Sequence, residues 1–141
     1  MHRLEPMPAY IIAALSDHGV DAADVVLCAA ADLDQDGAFA EEWLVVTDQK
    51  LCILSGRNSS ETRGGRSRRE RLSRAADEDW QELSYREITL ADMGEVSARS
   101  LNGNGLIVAE VGGQLQSLCR YSNTMTRKFG HFVRLINKVR E

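Results

Sequence analysis

Residues 41–56, EEWLVVTDQKLCILSG, constrain the fold of this chain more than any other stretch. They read as an apolar strand, a tight Thr47-Asp48-Gln49-Lys50 turn and a second apolar strand. More strand-like runs follow an Arg-rich interruption, and one amphipathic helix ends the chain. Strands followed by a single closing helix predict an α+β fold: a bent antiparallel β-barrel or sheet of about seven strands, with a short N-terminal helix and a C-terminal capping helix. Such a fold is a platform for binding and carries no chemistry of its own.

The elements follow from local signals. Residues 8–15 (PAYIIAAL) form a short helix, with Pro8 suited to its first turn and Gly19 to its C-terminal cap. Ile11, Ile12 and Leu15 fall on one face and would dock on the sheet. Strands are expected at 24–31, 42–47, 50–55, 80–85, 87–90, 94–100, 106–111 and 114–121. Asn102-Gly103-Asn104-Gly105 is a hairpin turn, and Gly112-Gly113 is another. Ser122 or Asn123 caps a helix reaching about Val139. Met125, Phe129, Phe132, Val133, Ile136 and Val139 share one side of it and plug the sheet. Residues 57–79 break every periodic pattern and read as a flexible loop, Arg-rich and then acidic, inside a single domain spanning 1–141.

Composition bounds the function. The 141 residues suit one domain. A net charge of −4 argues against a surface shaped throughout for nucleic acid. Charge is blocky: residues 1–50 hold ten acids against Arg3 and Lys50, whereas 57–74 hold seven arginines against Glu61 and Glu70. Cys28, Cys52 and Cys119 each sit in an apolar run without a CxxC pair, as buried reduced thiols do, which points to the cytosol. Residues 1–6 are polar and no long apolar region follows, so neither a secretory signal nor a membrane span is expected.

The order "V-x-T-D-x-x-L, loop, I-x-L-x-D, G-x-G, G-G turn, helix" is carried by residues 45–51, 88–93, 103–105, 112–113 and 124–139. It resembles bacterial pleckstrin-homology-like (PH-like) domains. A further similarity is to the soluble N-terminal domain of certain bacterial ABC exporters, through 41–48 (EEWLVVTD), 118–123 (LCRYSN) and Lys128-Phe129. It covers roughly residues 8–140, and its motifs are structural. In those exporters the domain precedes membrane helices and a nucleotide-binding domain. Neither follows within these residues, and no G-x-x-x-x-G-K-[ST] is present. The resemblance therefore implies an excised domain or a free-standing relative. It also implies contact with a protein partner, or the rest of a transporter polypeptide, or the anionic inner face of the cell membrane.

Among constellations, Arg63, Arg66, Arg68, Arg69, Arg71 and Arg74 are the leading contact residues, because guanidinium forks bind phosphate and carboxylate bidentately. No aromatic residue is interleaved to stack on bases, so nucleic acid is disfavoured. Asp32-Leu33-Asp34-Gln35-Asp36-Gly37 opens like a calcium loop, but its twelfth place is Trp43, with Glu42 one short. Asp32, Asp34, Asp36 and Glu42 are the candidate metal ligands of an alternative calcium- or small-ligand-binding domain. His2, His18 and His131 are scattered, no nucleophile elbow occurs, and neither a cofactor nor a catalytic set is expected. Arg120 and Tyr121 are placed to stitch the last strand to the helix.

Overall fold

The computed structural model describes residues 2–3, 5–34, 36–58 and 80–141. Among these residues eight strands and two helices follow one another: β1 (His2–Arg3), α1 (Ala9–Asp17), β2 (Leu27–Leu33), β3 (Phe39–Val46), β4 (Lys50–Asn58), β5 (Trp80–Thr89), β6 (Met93–Leu101), β7 (Asn104–Val111), β8 (Gln114–Ser122) and α2 (Thr126–Arg140). Seven strands form an antiparallel path in the order β5-β4-β3-β2-β8-β7-β6, and β1 lies parallel to β2 beside it. The expected α+β class, strand number and two helices are present. The sheet is not closed, because β5 and β6 remain its two edges.

Turn chemistry sets the register. Thr47 Oγ1 accepts from the N–H groups of Gln49 and Lys50, both at 3.2 Å, so the β3–β4 hairpin turns where its Thr-Asp pair stands. Gly103 has φ +77°, the left-handed conformation that the β6–β7 turn demands, and it occupies the Asn-Gly position. The expected strands at 80–85 and 87–90 are one strand, β5, followed by a 3-10 turn at Leu90–Asp92 that leads straight into β6. Strands consecutive in the chain thus lie at opposite ends of the sheet.

The sheet curls around one core. Leu27, Ala29, Leu44, Val46, Leu51, Ile53, Ile88, Val96, Ile107 and Cys119 meet Phe129, Phe132, Leu135 and Ile136 of α2 there. Phe129 and Phe132 are fully buried, each contributing about 1.5–3 kcal/mol relative to an exposed ring. Tyr121 stacks on Phe129 at 4.6 Å, so the last strand and helix are joined at the expected position. A Cβ on Gly105 would overlap the Tyr121 ring, and β7 therefore needs glycine there. A second core fills the outer face of β2–β5. Ile11, Ala14 and Leu15 of α1 cover Cys28, Trp43, Val45, Cys52 and Leu54. Ile12, expected on that face, points outward and is 39% exposed, because the buried stripe runs through Ala14 instead.

The junction between β2 and β8 is a seam more than a ladder. The two strands pair in register only at Leu33 and Arg120. Ala30 presents its backbone to side chains: its N–H donates to Glu5 Oε1 at 2.6 Å, and its carbonyl accepts from Lys128 Nζ at 2.6 Å. Lys128 Nζ also binds Glu5 Oε1 at 2.7 Å. Asp32 closes the other end, accepting from the Ser122 N–H at 2.9 Å and the Ser122 hydroxyl at 2.5 Å. The Ala30 backbone of β2 and the Ser122 N–H of β8 are thus satisfied by charged side chains across the seam. No helix among the described residues is long and apolar enough to cross a membrane.

Candidate functional site between α1 and β5

Both tryptophans and two of the three tyrosines gather on the outer face of the β2–β5 half of the sheet. A β-bulge puts them there. Ser55 pairs with Ser84 and Gly56 with Glu82, so Leu83 is the extra residue. Simple alternation would seat Leu83 with Tyr85. The bulge turns Leu83 outward, 52% exposed, and brings Trp80 and Glu82 to the same face as Tyr85. The Trp80 ring lies directly on Gly56, where a Cβ would collide with it.

From the other side, α1 ends in a glycine turn. Gly19 has φ +80°, and the N–H of Val20 returns to the Leu15 carbonyl at 2.8 Å. That turn holds His18 over β5. Its ring stacks on Tyr85 at 3.6 Å with a 5° interplanar angle, and its Nε2 lies 3.0 Å from both Glu82 carboxylate oxygens. Tyr10 packs against Trp80 at 5.2 Å, and its hydroxyl donates to Glu41 Oε1 at 2.5 Å. The Trp43 indole donates to the same oxygen at 2.9 Å. Between α1 and β5 these residues leave a surface recess of about 310 Å³, walled by Tyr10, Asp17, His18, Trp80 and Glu82.

Electrostatics below the recess are those of a packed layer. Burial pushes the Cys52 thiol up, and burial together with the neighbouring Cys52 raises the Tyr85 phenol. At the far end of β5, the hydrogen bond from Lys50 Nζ (2.6 Å) lowers Glu87, and Glu87 in turn raises Lys50.

The inner face holds a second polar feature. Arg86 of β5 donates to the Ser117 and Leu118 carbonyls of β8, at 2.7 and 3.1 Å. Those carbonyls lie at a bulge where Ile107 pairs with Cys119 and Val108 with Ser117. The guanidinium therefore ties two strands that share no ladder. Glu42, 2% exposed, lies in the same interior. The Cys119 thiol is driven well up, first by burial and then by the Glu42 carboxylate, with Arg86 and Lys128 opposing.

The calcium-loop residues go separate ways. Asp32 is engaged by Ser122, and Asp34 Oδ1 caps its own turn by accepting from Asp36 N–H and Ala38 N–H. Glu42 points into the core, and Gln35 lies outside the described residues. Among the described residues no group of three metal-binding side chains converges. Arg63, Arg66, Arg68, Arg69, Arg71 and Arg74 also lie outside the described residues. All three cysteines are buried, as their apolar flanks suggested. Sequence reasoning missed the recess, because its walls come from two elements placed by a bulge and a helix cap. The signal available was Trp80, flanked by Asp79 and Glu82.

Compared with known proteins, the chain matches no family model, no curated protein and no solved structure.

Proposed function

We propose that this chain is a PH-like, non-catalytic protein-contact module, built like the cytosolic N-terminal domain of certain bacterial ABC exporters. One observation carries the reading. Strands β5 and β6 are consecutive in the chain yet lie at opposite ends of the sheet, and α2 packs between β6 and β2. Phe129, Phe132 and Ile136 fill the space the sheet encloses, so a ligand must be met on the outside. The open edge of β5, with Leu83 exposed, and the aromatic recess beside it offer that outer surface.

The test is photo-crosslinking in cells from a benzoylphenylalanine placed at Gln81 or Leu83, with Ser97 on the opposite edge as reference. A discrete adduct from the β5 positions alone is expected. An identical smear from all three positions would overturn the assignment.

A second reading is favoured by the seven arginines of residues 57–74, which suit an anionic lipid surface at about 1 kcal/mol per basic residue. Sedimentation with phosphatidylcholine vesicles, with and without phosphatidylserine, tests it by comparing the full chain with a 57–74 deletion. Equal pelleting of the two proteins removes the lipid role.

A further inference from the structure

We infer that the recess between α1 and β5 receives the cationic side chain, arginine or lysine, of the polypeptide partner. The inference rests on the protein-contact reading and adds the chemistry of that contact.

Two independent properties of the recess point to a cation. The first is aromatic. The Tyr10 and Trp80 rings, 5.2 Å apart and inclined by 32°, form adjoining walls with π surface. Such surface attracts a guanidinium or ammonium through the ring quadrupole, by about 0.5–1 kcal/mol at exposed sites and more once water is excluded. The second is charge. Asp17 and Glu82 line the same recess, and the Glu41 carboxylate stands behind the Tyr10 hydroxyl. Among the described residues, no lysine or arginine lines it. Among the described lining residues His18 is the one basic wall, and that ring is held flat against Tyr85 with Nε2 turned to Glu82. The Glu82 side chain is 30% exposed, so an incoming cation can reach it from solvent.

Size agrees. A recess of about 310 Å³ lies at the small end of the range for ligand pockets, roughly 300–1,000 Å³, and suits one long side chain better than a folded epitope. The stem of an arginine or lysine can lie along Ala13 and Ala14 while its head meets the carboxylates. Positioning belongs to the fold: the Leu83 bulge and the Gly19 cap set the two walls, so the recess exists before a ligand arrives.

The experiment is an NMR titration of the full chain, following the Trp80 indole resonance, with three probes: the peptide acetyl-Gly-Arg-Gly-amide, its norleucine counterpart and methylguanidinium. A saturable shift is expected with the arginine peptide and none with norleucine. Methylguanidinium should bind more weakly than the peptide, because it lacks the stem and backbone. The double variant Asp17→Asn, Glu82→Gln, with an unchanged melting temperature, should lose about tenfold in affinity, as two surface charge pairs imply. An unshifted indole, equal response to norleucine, or full affinity in the double variant overturns the inference. Methylguanidinium binding as tightly as the peptide overturns the commitment to a polypeptide. If β5-edge crosslinking persists in the double variant while the peptide fails to bind, the contact module stands and the cation recess falls. Peptide binding without crosslinking has the opposite meaning.

Discussion

The two halves of the sheet are covered differently. Strands β2–β4 are packed on both faces, by the α2 core inside and by α1 outside, and β5 is their more exposed margin. Strands β6–β8 pack mainly inward, and residues 97–101 of β6 are exposed throughout. Burial follows suit: the last five residues of β3 are all buried, whereas β6 buries only Met93 and Val96. A two-sided half is a scaffold on which a surface feature can be fixed rigidly, as the aromatic recess is. A one-sided half contributes little beyond its share of the core.

The comparison can be broken at the shared core first. Phe132→Ala should cost about 3–5 kcal/mol, since a fully buried ring leaves a cavity between both halves. Chemical denaturation monitored in each half should show one common loss. A variant that unfolds one half alone would show the halves to be independent.

On the outer face, Leu15→Ala should cost about 2–5 kcal/mol and act locally. Hydrogen exchange is expected to accelerate in β3 and β4 while the β6–β7 ladder stays protected. Iodoacetamide should reach Cys28 and Cys52, which lie beneath α1, before it reaches Cys119 in the inner core. The reverse order of labelling would contradict the layered arrangement.

The seam comes next. Asp32→Ala removes both hydrogen bonds to Ser122 and should cost about 1.5–3 kcal/mol, measured by denaturant midpoint. A neutral result would mean that the Leu33–Arg120 pairing and Lys128 suffice to join the halves.

The smallest effect belongs to Lys50 and Glu87, whose side chains are 31% and 35% exposed. Glu87 is lowered by Lys50, so its contribution is full above the ordinary carboxylate range and fades as pH falls through its folded value. Lys50 is raised by Glu87, so its share is full below the ordinary lysine range and fades at more alkaline pH. Glu87→Gln should cost about 0.5 kcal/mol or less near neutrality and nothing in high salt. A larger loss would assign Glu87 a role beyond that pair.

The same contrast explains what could be read from the chain. WLVV in β3 and LCIL in β4 are apolar at consecutive positions because both of their faces are buried, so those strands stand out from their residues alone. The turns at Thr47 and Gly103 were legible because hydrogen-bonding side chains and a left-handed glycine have compositional signatures. The α2 face was visible except for Leu135, which widens the expected stripe. The recess was not legible. A bulge at Leu83 puts Trp80 and Glu82, before it, on the face of Tyr85, after it, and nothing in WQELSYREIT announces it. Arg86 was equally hidden, because the carbonyls it serves are exposed only by the β8 bulge.

Strands β4 and β5 remain paired out to Asn58 and Trp80, so the two ends of residues 59–79 are pinned side by side. Closing a connection between anchored ends costs an entropy that grows only logarithmically with its length, about 0.6 kcal/mol per doubling for a flexible chain. A flexible insert between those anchors can therefore be lengthened or shortened at small thermodynamic expense. In evolutionary terms the β4–β5 ladder is a socket, where sequence can be exchanged while the surface beside it keeps its shape.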